Sequence, residues 1–355
     1  MNLAEKTLGS YLGICLPFCK SSNKIGSSPS ILGNHSYDLR IVLNLLYFLR
    51  FLLFLCFYLF LLLLITKLYH LYEMNTKEIK LQSEKNRKRL LEVAFSAQAA
   101  HLGGGLSSMN ILTALYFNIL CINPSNPKDP TRDRFVMSKG HCAESLYVTL
   151  ESRGFFPREW TDSLGKFGSI LAGHPTIDVP GIEVNTGSLG HGLSVGVGMA
   201  LAAKMNQEKH KIFVLMGDGE QGEGSIYEAA MAANHYRLDN LIAIIDRNGL
   251  QISGPTEDVM SLNSIHQRWT ALGWDVYEMN GDHIEEILST YSKVNCSNKK
   301  PHLLIAHTTK GKGVSFMEHV AEWHHKIPSK EQYQLAIEEI DRRIKHIEED
   351  LDENM

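Results

Sequence analysis

Ile212-Phe213-Val214-Leu215-Met216-Gly217-Asp218-Gly219 is an unbroken apolar run that ends in a tight polar turn. The pattern returns at Leu241-Ile242-Ala243-Ile244-Ile245-Asp246-Arg247-Asn248, which places Asn248 thirty positions after Asp218. Two parallel strands joined by a helix bring such residues side by side at the carboxyl edge of a sheet, where open α/β folds bind ligands. One carboxylate, one amide oxygen and a nearby free carbonyl suit a hard divalent cation such as Mg²⁺, whose other positions go to water and phosphate oxygens. Gly217 and Gly219 let the backbone turn sharply and approach phosphate without a Cβ clash. The helix expected over Ser225–His235 offers its N-terminal amides to the same anion. A bare Gly-Asp-Gly is common in loops; the flanking apolar runs and the correctly spaced Asn make this one specific for a diphosphate-holding site.

Working outward, further short strands are expected at Asp133–Ser138, Asp275–Met279 and Leu303–His307. Helices are expected over Lys77–Phe95, Met109–Leu120, Ala143–Arg153, Ile265–Leu272 and Ile284–Lys293, with a Gly/Ala-rich helix ending near Met205. His101-Leu102-Gly103-Gly104-Gly105-Leu106-Ser107 comes just before the expected Met109–Leu120 helix, which is amphipathic. Strands alternating with helices of this length mean βαβ units, hence an α/β fold with a parallel sheet and helices on both faces. This α/β domain is expected over residues 74–328, followed by a charged helix over 329–355.

The chain has 355 residues, 44% hydrophobic and 21% charged, with a formal net charge of −4. That composition is globular, and the charge gives no electrostatic case for nucleic acid as a partner. Cys15, Cys19, Cys56, Cys121, Cys142 and Cys296 lack zinc-type spacing and read as isolated reduced thiols.

The first 73 residues differ in kind. Residues 1–40 mix Gly, Ser, Asn and Pro without a period and are assigned no structure. Residues 41–66 are almost wholly apolar, interrupted by Asn44 and Arg50, within a hydrophobic segment running over 41–73. The uninterrupted part, Phe51–Ile65, falls short of the ~20 residues that span a bilayer. A longer span must carry Arg50, at a cost of about 2.5–3.5 kcal/mol at a helix centre. The block lies too far from the terminus for a secretory signal. Two readings stay open: a membrane anchor whose Lys/Arg-rich flank keeps the following domain in the cytoplasm, or an extension foreign to the working protein, with Met74 as the natural first residue.

Gly217-Asp218-Gly219 through Asn248 resembles the thiamine diphosphate signature, and the text around it resembles transketolase. The resemblance runs over roughly Lys77–Ser329 and recurs at Ser138-Lys139-Gly140-His141, Gly173-His174-Pro175, Thr186–Gly192 and Lys310-Gly311-Lys312-Gly313. It implies that Asp218 and Asn248 bind Mg²⁺ (or Ca²⁺ or Mn²⁺) through side chains and Leu250 through its carbonyl. Gly187, Ser188 and Leu189 match the loop that contacts the cofactor, and Gly217, Gly219 and His141 match positions at the diphosphate. His101, His174 and His324 match histidines that hydrogen-bond the donor ketose, work for which imidazole, able to donate and accept near neutral pH, is suited. Glu223 and Glu228 match positions at a subunit interface. Ala100, Cys142, Glu144 and His325 depart from the family pattern, which more often has Gly, small or apolar residues there.

In this family the carboxylate that activates the cofactor comes from a second α/β domain, for which residues 1–73 and 329–355 have no pattern. The resemblance therefore implies the amino-terminal half of a split transketolase, working with a carboxy-terminal subunit on sugar phosphates, as a heterotetramer. The alternatives are a subunit of a synthase using pyruvate, and a membrane-tethered accessory protein that binds the cofactor without turnover.

Overall fold

The computed structural model describes residues 43–58 and 74–353. It divides into two compact units, Met1–Leu71 and Tyr72–Met355. In the first, residues 43–58 form a helix with exposed side chains. Among the described residues no helix is long and apolar enough to cross a membrane. The expectation for residues 1–40, and the parts of the apolar block at 41–42 and 59–66, lie outside the described residues.

The second unit is built on a five-stranded sheet in the order β1-β2-β3-β7-β6. Its strands are β1 (Arg134–Met137), β2 (Ile212–Gly217), β3 (Leu241–Arg247), β6 (Asp275–Asn280) and β7 (His302–His307). Every pairing is parallel, with Gly217 opposite Asp246 and Arg247 opposite His307. A small hairpin, β4 (Leu250–Gln251) with β5 (Gly254–Pro255), projects from the end of β3. The expected α/β parallel sheet is present.

Because side chains alternate across a strand, each central strand feeds two cores. Phe213, Leu215, Ile242, Ile244 and Leu304 join α1 (Thr76–Ala97), α2 (Leu102–Ala114) and α3 (Ala143–Arg153) on one face. Val214, Met216, Ala243, Ile245 and Leu303 join helices further along the chain on the other. Arg158–Asp162 is the short α4. The second core is closed by α5 (His191–Met205), α6 (Gly224–His235) and, beyond the short α7 (Thr256–Val259), α8 (Ile265–Ala271). α9 (Ile284–Tyr291) and α10 (Lys330–Asp352) complete the first. α1 opens on an Asn75–Glu78 capping box and α10 on a Ser329–Gln332 one. α10 packs on α1: Phe95 stacks on Tyr333 at 4.3 Å, and Ala336 and Ile340 are fully buried.

The helix expected from Met109 starts earlier, at Leu102, and takes in the triple glycine. Gly103, Gly104 and Gly105 lie inside α2, which ends in a π-helical turn at Leu115–Ile119, and all thirteen residues of α2 are buried, so it is not amphipathic. The reason is close approach. A Cβ at Gly103 would sit 2.9 Å from the Trp323 carbonyl oxygen, and one at Gly104 2.7 Å from Cys142 Sγ. Each glycine costs a helix ~1 kcal/mol relative to alanine, and full burial of the neighbouring Leu102, Leu106 and Met109 offsets it.

Candidate active site

Four of the chemistry-bearing motifs leave the sheet at its carboxyl edge: Ser138–His141 after β1, Asp218 after β2, Asn248 after β3 and Lys310 after β7. Asp218 is 2% exposed. Its carboxylate accepts from the Gly219 N–H at 2.8 Å, the Gly249 N–H at 2.7 Å and the Arg247 guanidinium at 3.2 Å. Parallel pairing of β2 and β3 thus brings Asp218 against the peptide that follows Asn248. Burial pushes the Asp218 carboxyl up, and the charge of Asp246 adds to the rise. A divalent cation would reverse both effects.

Asn248 is held from below. Its Nδ2 donates to Asp246 at 3.3 Å, and its Oδ1 accepts from the Leu250 N–H at 3.2 Å. The Leu250 carbonyl accepts from Lys310 Nζ at 3.4 Å. Among the described residues no group of three His, Cys, Asp or Glu side chains could hold a metal. The set expected from sequence, one carboxylate, one carboxamide and one carbonyl, leaves positions for phosphate oxygens, as Mg²⁺ prefers.

Beneath this edge lies a buried ion pair that the sequence does not announce. Asp246, fully buried, accepts from Lys139 Nζ, from Ser107 at 2.6 Å and from Thr308. Burial would raise its pKa, but Lys139 and the hydroxyl donors outweigh that and hold it below the usual carboxylate range. Burial likewise pulls Lys139 down, and Asp246 more than restores it. Removing either partner would strand a charge in a dry interior. Glu220, 2% exposed, performs a second clamp. It accepts from Ser138 Oγ, the Gly190 N–H at 2.8 Å and the Gly217 N–H at 3.0 Å, so one carboxyl ties three loops together. Arg87 on α1 fixes the fourth by donating to the Lys312 carbonyl at 2.9 Å.

Above the edge, three of the four expected histidines cluster. The His101 ring centroid lies 5.2 Å from that of His141 and 5.6 Å from that of His324, and His141 stacks on His324 at 5.2 Å. His325 joins them at 4.8 Å from His101. The signal for His325 is its adjacency to His324, but the sequence pattern marks it only as a departure. Lys310 Nζ sits 3.1 Å from His324 Nδ1. Burial pushes His101 down to about 4, with His141 and His325 adding to it. His141 falls to about 4 through burial and then Lys139 and Lys310. His324 falls to about 3 through burial and then Lys310. All three are neutral at neutral pH, so each offers one N–H donor and one acceptor nitrogen.

His174 lies at the rim, exposed, outside the ring contacts but against Gly187. A Cβ on Gly187, whose φ is +146°, would fall 2.9 Å from His174 Cδ2. Gly187 and Ser188 are exposed beside it, and Leu189 is half-buried. Glu223 and Glu228 are exposed at the start of α6 and lie away from the histidine cluster in sequence.

The family description "Transketolase, thiamine diphosphate binding domain" matches residues 82–336. The chain belongs to this family. It is 66% identical over 277 residues to a subunit of the apulose-4-phosphate transketolase of Phocaeicola vulgatus, covering 78% of this chain and 99% of that protein. It is 40% identical over 272 residues to the SqwG subunit of the 6-deoxy-6-sulfo-D-fructose transketolase of Clostridium sp., covering 76% of this chain and 99% of that protein. The transketolase structure from Campylobacter jejuni superposes with a TM-score of 0.67 at 30% identity, over 79% of this chain and 49% of that one. The chain thus spans about half the length of transketolases of that kind. The resemblance expected from the motifs is borne out, as is the fold.

The residues present fit thiamine diphosphate. At Gly187 and Gly219 neighbouring side chains close in on the backbone: a Cβ on Gly219 would meet Gln251 at 3.0 Å. His101 Nδ1 and Thr186 Oγ1 are buried with no hydrogen-bond partner among the described residues. Such orphaned groups are uncommon, and Thr186 adjoins Gly187. Lys310, whose Nζ lies 3.4 Å from the Leu250 carbonyl oxygen, places positive charge beside the cation set expected from sequence.

Proposed function

We propose that this chain is the cofactor-binding subunit of a transketolase that moves a two-carbon ketol unit from a ketose phosphate to an aldose phosphate. The observation that carries this reading is the meeting, at one sheet edge, of the Asp218–Asn248 cation set with a cluster of neutral histidines. When bound, thiamine diphosphate supplies the electron sink that allows the bond beside the donor carbonyl to break. Asp218, Asn248 and the Leu250 carbonyl would hold Mg²⁺, and Gly187, Ser188, Leu189, Gly217, Gly219 and His141 would line the diphosphate, joined by Lys310. His101, His174 and His324 would bind the donor's hydroxyls. Being neutral, the half-buried His101 and His324 each offer the sugar one N–H donor and one acceptor nitrogen, without a standing charge that repels Mg²⁺.

A separate protein carrying the second α/β domain would supply the activating carboxylate, with Glu223 and Glu228 at the shared interface and two copies of each chain in the assembly. Two relatives that this chain matches over nearly their whole length are themselves named as single subunits of transketolases, which supports this division of labour. The 66% identity to the Phocaeicola vulgatus protein puts apulose 4-phosphate first among donors to assay, and the sulfonated sugar of the other relative shows how widely donors differ on this scaffold. A cytoplasmic setting suits phosphorylated sugars.

The test is co-purification with the protein that carries the second domain, followed by assay of ketol transfer from ketose phosphates, with and without Mg²⁺ and the cofactor. Transfer dependent on both is expected. Turnover of pyruvate in place of ketose phosphates would refute the sugar reaction, and cofactor uptake without any turnover would refute the enzymatic role.

A further inference from the structure

The loop that carries Lys310 is bonded to two helices through a cluster of charged side chains that the proposed chemistry does not use. It leaves β7 and passes through Gly311 and Gly313, both left-handed at φ +77° and +88°, before it arrives at His324. The carbonyls of Lys312 and Gly313 each accept from a guanidinium. Arg87 Nε, on α1, donates to the first at 2.9 Å, and Arg343 Nη2, on α10, donates to the second at 2.6 Å. Glu84 stands between the two arginines: its carboxylate accepts from Arg87 Nη1 at 2.6 Å and from Arg343 Nε at 3.0 Å. The Arg87 side chain is 2% exposed and that of Glu84 15%.

Gly313 makes this approach possible. A Cβ there would fall 2.5 Å from Arg87 Cδ and 3.0 Å from Arg343 Nη2, at a φ that other residues adopt only with strain. Glu339, one turn before Arg343 on the same face of α10, accepts from the Ser315 N–H at 2.8 Å and from its hydroxyl at 2.6 Å. All these bonds fall between the two loop residues that the site uses, Lys310 and His324, whose Nζ and Nδ1 are 3.1 Å apart. Hydrogen bonds from a charged donor are stronger than neutral ones. The planar guanidinium of Arg343 makes two contacts at once in fixed geometry, which an ammonium cannot do. Rigid elements locate functional groups better than loops do, and here α1 and α10 lend their rigidity to a loop.

We propose that Glu84, Arg87 and Arg343 form a clamp that positions the Lys310–His324 segment, which makes α10 a support of the site through the loop. The inference rests on the reading that sets Lys310 at the diphosphate and His324 at the donor sugar.

The experiment uses the full chain assembled with its partner protein. Arg343→Met keeps the apolar stem and loses both donations. Amides within residues 309–320 should then exchange with solvent at least about tenfold faster, while those of β2 and β3 are unchanged. The apparent Kd for thiamine diphosphate with Mg²⁺ should rise about tenfold, as for a binding-competent arrangement populated about a tenth of the time. At saturating cofactor kcat should stay within about twofold, because binding through Lys310 restores the loop. Glu84→Gln, which leaves both arginines without their shared carboxylate, should show the same pattern, and it decides the matter should Arg343→Met fail to fold. Arg342→Met, an exposed neighbour whose Nε donates to Glu338 within α10, should change neither quantity. Faster exchange across the whole sheet, unaltered cofactor affinity in a chain whose loop has loosened, or an equal effect of Arg342→Met would overturn the proposal. A wild-type complex that takes up no thiamine diphosphate would refute the reading of the site, whereas exchange measured without cofactor still tests the clamp.

Discussion

Replacing Glu144 by Gln should stabilise the folded chain at neutral pH and flatten its stability against pH. The carboxyl is 4% exposed and, through burial, titrates at about 8 in place of its ordinary 4.5. Below pH 4.5 both folded and unfolded chains hold the proton, and the buried acid costs nothing beyond its desolvation. Between 4.5 and 8 the folded chain keeps a proton that the unfolded chain releases, so stability falls as pH rises, by ~1.4 kcal/mol per pH unit. At pH 7, which is about 2.5 pH units above the unfolded value, the penalty is on the order of 3 kcal/mol; at pH 5 it is under about 1 kcal/mol. Glutamine has nearly the same shape and has no proton to lose. Urea or guanidinium midpoints, measured every half unit from pH 5 to pH 8 for both proteins, provide the assay, and the linear extrapolation gives the free energies. The difference should be small at pH 5 and widen to about 2–3 kcal/mol at pH 7 in favour of Glu144→Gln. A constant difference across that range, or a wild-type chain more stable than the variant at pH 7, would refute the reasoning.

Three further outcomes follow from the site. Asp218→Ala removes the one carboxylate of the proposed cation set, so calorimetry should detect no uptake of thiamine diphosphate in the presence of Mg²⁺; retained uptake would move the metal elsewhere. His174→Ala takes away a rim imidazole that contacts neither the cation set nor the buried ion pair, so turnover should fall by about 10- to 100-fold while cofactor uptake is retained. Asp246→Asn leaves Lys139 buried and unpaired, and denaturant unfolding should register a loss of about 3–5 kcal/mol; a loss under about 1 kcal/mol would mean that the pair does not hold the edge together.

How much of this could be read from the chain alone depends on the distance over which each signal acts. Strand β2 and its Asp218, and strand β3 and its Asn248, are local: an apolar run passes straight into a polar turn, and the residue that matters lies right at the strand end. Sequence reading places both strands closely, and the parallel register then brings the two residues together. The triple glycine is the reverse case. Glycine weakens helices, so the run Gly103 to Gly105 gives no local sign of a helix, and only the tertiary approach of Trp323 and Cys142 explains why a helix there requires them. The Lys139–Asp246 pair joins residues 107 apart, and Glu220 joins loops 82 and 30 residues away. No periodicity encodes such contacts. A charged residue in a polar turn looks solvated until the topology supplies the partner that makes its burial tolerable. Glu144 falls between the two cases: one carboxylate on the face it shares with Tyr147 and Val148 breaks the apolar pattern, and that break is visible. Its burial is not, because the elements that cover it come from elsewhere in the chain. Local pattern thus locates the edge where ligands bind, and burial of charge beneath that edge, legible only in three dimensions, holds the ligating groups in place.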